Sequence, residues 1–232
     1  MSMAIIVGNR SINSVALIDD DDNVRRGYRY STDDLELAAK DVEGPIRDLD
    51  TLVSSFKESL DAVICDYNLK TSNYSYVNGD EVCVSLYKNN IPAVLCTRFD
   101  GSLPSPIRKN RRYIPMVVAP SELDSEILRV ALSVCVDELA GNYIKERKPH
   151  RAMLRVEGGE LYEGSGVIVL NLLVPSWNPS HLFTMEIDPS AGKAYELASR
   201  AVSSGDVVRM FADVNLGAES VDDLFVSEWR LS

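Results

Sequence analysis

The sequence predicts an α/β protein in two parts: a doubly wound parallel sheet of about five strands, then a small antiparallel β-barrel. Three observations predict it. Short, unbroken apolar runs such as Val15–Ile18 and Ala62–Cys65 alternate with helically spaced segments, and such runs suit strands covered on both faces. From Arg151 on, β-type runs are punctuated by Pro, Gly, Asn and Asp, the pattern of a small barrel or sandwich. Between the two lies Lys145-Glu-Arg-Lys-Pro-His150, charged and proline-ended. It sets the expected domains at 1–147 and 151–232.

Residues 1–14 are weakly patterned, with room for an extra strand at Met3–Val7. Val15–Ile18 is the first buried strand and runs into Asp19–Asp22, where negative charge suits the start of a helix. A short second strand is expected around Leu35–Ala39. Leu49, Leu52, Val53, Phe56 and Leu60 then recur at helical spacing. Ala62–Cys65 is the third strand and ends on Asp66. Lys70–Asn78 is polar and reads as a loop, and Gly79–Lys88 as a helix. Ile91–Thr97 is the fourth strand, Arg98–Arg112 a basic loop or irregular helix, and Tyr113–Pro120 the fifth strand. A helix from about Leu123 to Arg147 carries one apolar stripe, leaving both the sheet and a homodimer open as its partner. Beyond it, runs at Ala152–Val156, Val167–Val174, His181–Ile187, Val207–Val214 and Leu224–Trp229 are interrupted by one helical piece, about Ala194–Val202. Three strands, a helix and two strands is the order of an OB-type barrel.

Composition narrows the function. No apolar run approaches the roughly 20 residues of a membrane span, and Met1–Ser14 lacks the pattern of a secretory signal. Four cysteines at irregular spacings inside apolar stretches suit reduced core thiols in a cytoplasmic protein. The net charge of −11 argues against a DNA partner recruited by bulk electrostatics. No Walker loop, dinucleotide fingerprint or nucleophile elbow is present, so an enzyme is not expected.

Two strands of one parallel sheet ending on Asp would bring Asp19, Asp20 and Asp66 to one edge, where ligands of open α/β sheets bind. Clustered carboxylates raise one another's pKa and are relieved by a hard cation, for which Mg²⁺ is the candidate. Thr97, ending the next strand, could donate to a phosphoryl oxygen.

Residues 14–145 resemble a response-regulator receiver domain. Val15-Ala-Leu-Ile-Asp-Asp-Asp-Asp-Asn-Val-Arg-Arg is similar to that family's first strand, acidic pair and helix start. Ala-Val-Ile-Cys-Asp66-Tyr-Asn-Leu is similar to its third strand, and Ile91-Pro-Ala-Val-Leu-Cys-Thr97 to its fourth. The resemblance implies Asp66 as phosphoacceptor, Asp19, Asp20 and Asp66 as the metal site, and Thr97 as the switch hydroxyl. Two departures stand against it. Ala119 precedes Pro120 where the family keeps a lysine, and the loop after Asp66 lacks the family's compact proline-and-glycine turn. Lys70 and Arg98 are the candidate substitutes for the missing cation.

From Arg151 to Ser232 six Lys/Arg face twelve Asp/Glu, a net of −6. The aromatic residues there read as barrel core, and Trp177, on a loop bracketed by Pro175 and Pro179, is the candidate partner contact. Gly217, in Asn215-Leu-Gly, is expected in a tight turn at positive φ. The function expected is a non-enzymatic signalling adaptor. It would join an atypical receiver to an acidic β domain that docks a protein partner (a kinase, NTPase or effector), a setting known from bacterial regulatory and defence systems. The alternative is a phosphorylation-dependent regulator whose β domain binds a ligand or single-stranded nucleic acid.

Overall fold

The computed structural model describes residues 5–7, 10–57, 60–71, 73–98 and 103–230. Met3 and Ala4 of the expected first strand, and residues 99–102 of the basic loop, lie outside them. The chain divides into two compact units, Met1–Ile144 and Lys145–Ser232. Lys145, Glu146 and Arg147 thus belong with the second unit rather than the first.

The first unit opens with a hairpin, β1 (Ile5–Val7) and β2 (Arg10–Ile12). Then follow β3 (Ser14–Ile18), α1 (Asp22–Asp33), β4 (Ala38–Asp41), α2 (Leu49–Lys57), β5 (Ala62–Asp66), α3 (Gly79–Lys88), β6 (Ala93–Cys96), α4 (Ser105–Asn110), β7 (Met116–Val118) and α5 (Ser125–Leu139). Strands β3 to β7 form one parallel sheet in the order β4-β3-β5-β6-β7, the expected doubly wound, receiver-like arrangement. Its order reverses at β3, and at such a switch point ligands bind.

The unbroken apolar runs follow from this layering. In β3, Ala16 and Ile18 enter one core with residues of α2 and α3, while Val15 and Leu17 enter the other with residues of α1 and α5. Strands β5 and β6 divide in the same way. No polar face is left to alternate.

Helix α5 is shorter than the expected span of about Leu123 to Arg147. Asp124 caps its start by accepting from the Ile127 N–H at 2.8 Å. Gly141 at φ 86° ends it, with the Asn142 N–H on the Asp137 carbonyl at 2.8 Å, a Schellman-type stop. The apolar stripe faces the sheet through Leu128, Ala131, Leu132 and Cys135. All four cysteines of the chain are free and buried. No described helix is long and apolar enough to cross a membrane.

The second unit comprises β8 (His150–Tyr162), β9 (Val167–Leu173), β10 (Leu182–Ile187), α6 (Lys193–Ser204), β11 (Val208–Val214) and β12 (Val226–Arg230). They form one antiparallel sheet in the order β10-β9-β8-β11-β12. That is the pairing order of an OB-type barrel, left open between β10 and β12 among the described residues. The long β8 crosses the sheet by a bulge between Val156 and Gly158, with Gly158 at φ 151°, a device that bends a strand. Helix α6 buries Ala194, Ala198 and Ala201 against one face.

Asn215 closes this unit. It is fully buried and donates through Nδ2 to the carbonyls of Glu146 at 2.8 Å and Asp223 at 2.9 Å. Its Oδ1 accepts the Phe225 N–H at 2.8 Å. Gly217 is not at positive φ; it is a glycine because a Cβ there would stand 2.3 Å from the Lys145 carbonyl oxygen. Truncating Asn215→Ala strands two acceptors and one donor in the interior. We expect it to destabilise this unit by about 3 kcal/mol and so to lower its denaturation midpoint. Urea unfolding followed by Trp fluorescence measures this, and a near-neutral result would contradict the clasp.

Candidate functional site

The carboxyl edge of the parallel sheet gathers the acidic residues by register alone. Ile18 pairs with Cys65 and Asp66 with Cys96. Asp19 and Asp66 therefore leave the sheet side by side, and Thr97 follows one residue on along the next strand. Oxygens of Asp19, Asp20 and Asp66 lie within 4.8 Å of one another. Asp19 is buried at 2% exposure, Asp66 is half-buried and Asp20 half-exposed.

The run Asp19–Asp22 divides its labour. Asp21 is the N-cap of α1 and accepts from the Asn23 N–H at 2.8 Å. Asp22, in the first turn, pairs with Arg25. That leaves Asp19 and Asp20 for the edge. Asp19 accepts from the Asp21 N–H at 2.8 Å and from the Tyr28 hydroxyl at 3.1 Å. The buried Arg25 guanidinium donates to the Asp19 carbonyl, so it is committed to the backbone at this edge.

Electrostatically the edge is under repulsion. Burial is the largest cause that pushes the Asp19 carboxyl up to about 6, and the charges of Asp66 and Asp20 add to it against the hydrogen bonds from Asp21 and Tyr28. Burial likewise raises Asp66, as does Asp20, while the backbone N–H groups of Asn68 and Tyr67 and the charge of Arg98 hold it down. The Asn68 contact is 2.6 Å. Three hard oxygen donors with unrelieved mutual repulsion are a donor set that a divalent cation of the Mg²⁺ or Ca²⁺ type fits.

Thr97 is buried, with its N–H on the Val118 carbonyl at 3.0 Å and its hydroxyl 3.4 Å from the Arg98 carbonyl. Ala119 follows β7 and brings no charge. Of the two candidate cations, Lys70 reaches Glu81 at 3.6 Å, whereas Arg98 acts on Asp66. Trp177 belongs to the second unit. Its indole N–H donates to the Ala218 carbonyl at 2.7 Å, and its ring meets Phe183 edge-on at 6.3 Å. It folds back over its own core and spends its polar atom there.

One residue that the sequence reading passed over governs the edge. A Cβ on Gly79 would lie 1.8 Å from the Asp66 carbonyl oxygen, and the Gly79 N–H donates to the Tyr67 carbonyl at 2.9 Å. The start of α3 thus rests directly on Asp66. The long loop before it packs along the segment that follows β4, with Ser75 bridging to Ile46 and the Tyr74 hydroxyl donating to the Val42 carbonyl. Glycine opening a helix right after a polar loop was the available signal.

No family model matches the chain, and no curated protein matches it. Among solved structures, the chain is similar to the response regulator StyR at 18% identity and a TM-score of 0.39, over 56% of this chain and 62% of that one. It is also similar to the signal receiver domain of a Luxo repressor protein from Vibrio parahaemolyticus, at 13% identity and a TM-score of 0.40, over 56% and 93%. The BeF3-activated DrrB receiver domain gives 16%, 0.38, 56% and 98% in the same order. The topology of the first unit stands on its own strand order.

Two outcomes are expected. Between the ordinary carboxylate pKa of 3.8 and about 6 the folded state holds the Asp19 proton that the unfolded state has lost. Stability therefore falls as pH rises through that window, by on the order of 2–3 kcal/mol. Asp19→Asn should remove this slope and stabilise the metal-free protein at pH 7.5, as urea denaturation across pH would measure. Gly79→Ala should displace the Asp66 carbonyl, costing about 2 kcal/mol or more and shifting the Asp66 and Tyr67 amide resonances.

Proposed function

We propose that this protein is a non-enzymatic signalling adaptor: a receiver-like unit with a Mg²⁺ site at Asp19, Asp20 and Asp66, joined to a β unit that docks a protein partner. The observation that carries the reading is the meeting of those three carboxylates at the switch-point edge of a 2-1-3-4-5 sheet. Bound Mg²⁺ would neutralise the edge and offer open positions to phosphoryl oxygens. Asp19 would be held for this by Tyr28 and the Asp21 N–H, and Asp66 by Gly79 beneath it. The partner class is a kinase, an NTPase or an effector, met in the cytoplasm.

A second reading, favoured by Arg98 alone, makes Asp66 a working phosphoacceptor. The charge of Arg98 already favours the ionised Asp66, and in this reading it takes over the neutralising role that Ala119 cannot fill. Thr97 would then donate its hydroxyl to the phosphoryl group.

Mg²⁺ at ten times its Kd should stabilise the protein by about 1.4 kcal/mol. The gain should vanish in Asp19→Asn and Asp66→Asn and weaken below pH 6 as the Asp19 proton competes. Thermal melts with and without Mg²⁺ measure it, and no shift at millimolar Mg²⁺ would sink the cation site. Adding beryllium fluoride separates the two readings. Movement of the Thr97 and Arg98 amide signals supports the phosphoacceptor, and movement with Mg²⁺ alone supports the constitutive adaptor.

A further inference from the structure

Sequence counting makes the second unit acidic, yet its sheet sorts the charge. Arg151, Met153 and Arg155 of β8 alternate with Ala152, Leu154 and Val156, and the latter three enter the core with α6. Arg151, Met153 and Arg155 therefore occupy the opposite face. On β11, Arg209 lies across from Arg155, Phe211 from Met153 and Asp213 from Arg151. On β12, Arg230 lies across from Phe211. Four of the six basic residues of Arg151–Ser232 are thus collected on the face that α6 leaves uncovered.

This arrangement works against the unit's own stability. Like charges directly opposite across an antiparallel pair are unfavourable, and Arg155 faces Arg209. Glu157 relieves Arg155, at 2.6 Å from its Nε. Arg151 lies over the Phe211 ring with its guanidinium carbon 5.3 Å from the centroid. Arg209 and Arg230 are exposed and have no ion-pair partner among the described residues. Between them, Met153 and Phe211 make a half-buried apolar floor.

We propose that this face docks an acidic, extended segment of a partner protein, with Arg209 and Arg230 as its carboxylate anchors and Met153 and Phe211 as its apolar floor; the proposal rests on the docking role argued above. Guanidinium groups take carboxylates in bidentate fashion, and an extended segment alternates acidic and apolar side chains at the two-residue period of the sheet. Single-stranded nucleic acid is disfavoured because Phe211, the aromatic of this floor, is half-buried with the Arg151 guanidinium over its ring, whereas single-strand grooves use open stacking platforms.

The test uses the full chain and a short fluorescent peptide alternating Glu and Val. Polarisation should show salt-sensitive binding that weakens about tenfold or more in Arg209→Ala/Arg230→Ala, the loss of two charge-assisted contacts. Arg200→Ala, an exposed arginine on α6, should bind as the parent does, and unchanged melting curves would show that all variants fold. No binding, equal binding by the double variant, or tighter binding of a short oligo-dT would each overturn the proposal. The docking role is read separately, by co-elution with proteins encoded beside it. Retained co-elution in the double variant leaves that role standing and removes this face from it. Peptide binding without co-elution supports the face and sinks the role.

Discussion

Burying Asp19 at the end of a parallel strand is the constraint to which the first unit is fitted. A carboxylate in that position carries a desolvation cost that its neighbours Asp20 and Asp66 enlarge. The surroundings offset part of it with a hydroxyl from Tyr28, an N–H from Asp21, and an arginine that braces the Asp19 backbone. What remains is a standing demand for positive charge at one point on the surface. The local architecture, from the cap of α1 to the seat of α3 on Asp66, holds the three carboxylates in place against that demand.

Much of this could be read from the residues. Runs such as Val15–Ile18 and Ala62–Cys65 had to be strands covered twice, and strands so covered had to be parallel, which brought Asp19 to Asp66. Gly79 escaped notice because its importance lies in a close approach to a carbonyl thirteen positions back, and no local pattern encodes such a contact. The end of α5 escaped for a related reason. The stripe read in the sequence stops at Leu139, where the helix also stops, and the stop is made by Gly141, whose backbone conformation other residues resist. Arg98 and Lys70 could not be ranked until the fold paired Lys70 with Glu81 and left the charge of Arg98 favouring the ionised Asp66.

The second unit teaches a different lesson about charge. A net of −6 over Arg151–Ser232 describes the average and conceals the arrangement. Because strand side chains alternate faces, Arg151 and Arg155 share a side, and antiparallel pairing sets Arg209 and Arg230 beside them. The register needed to see this depends on the pairing of β11 with β8, reached through α6, and on the shift between Phe211 and Asp213 where β11 meets β12, which composition does not reveal. Trp177, by contrast, stood out in sequence because of its prolines, while its indole N–H is held by the Ala218 carbonyl of its own unit.

The clasp at Asn215 gives the second unit an unusual mechanical property. One amide holds the segment by which the chain enters this unit, at Glu146, and the segment by which it approaches its last strand, at Asp223 and Phe225. The start of the unit and the approach to its last strand are therefore fastened at one point. A disturbance of this one amide is felt at the lead-in to β8 and at the base of β12 together.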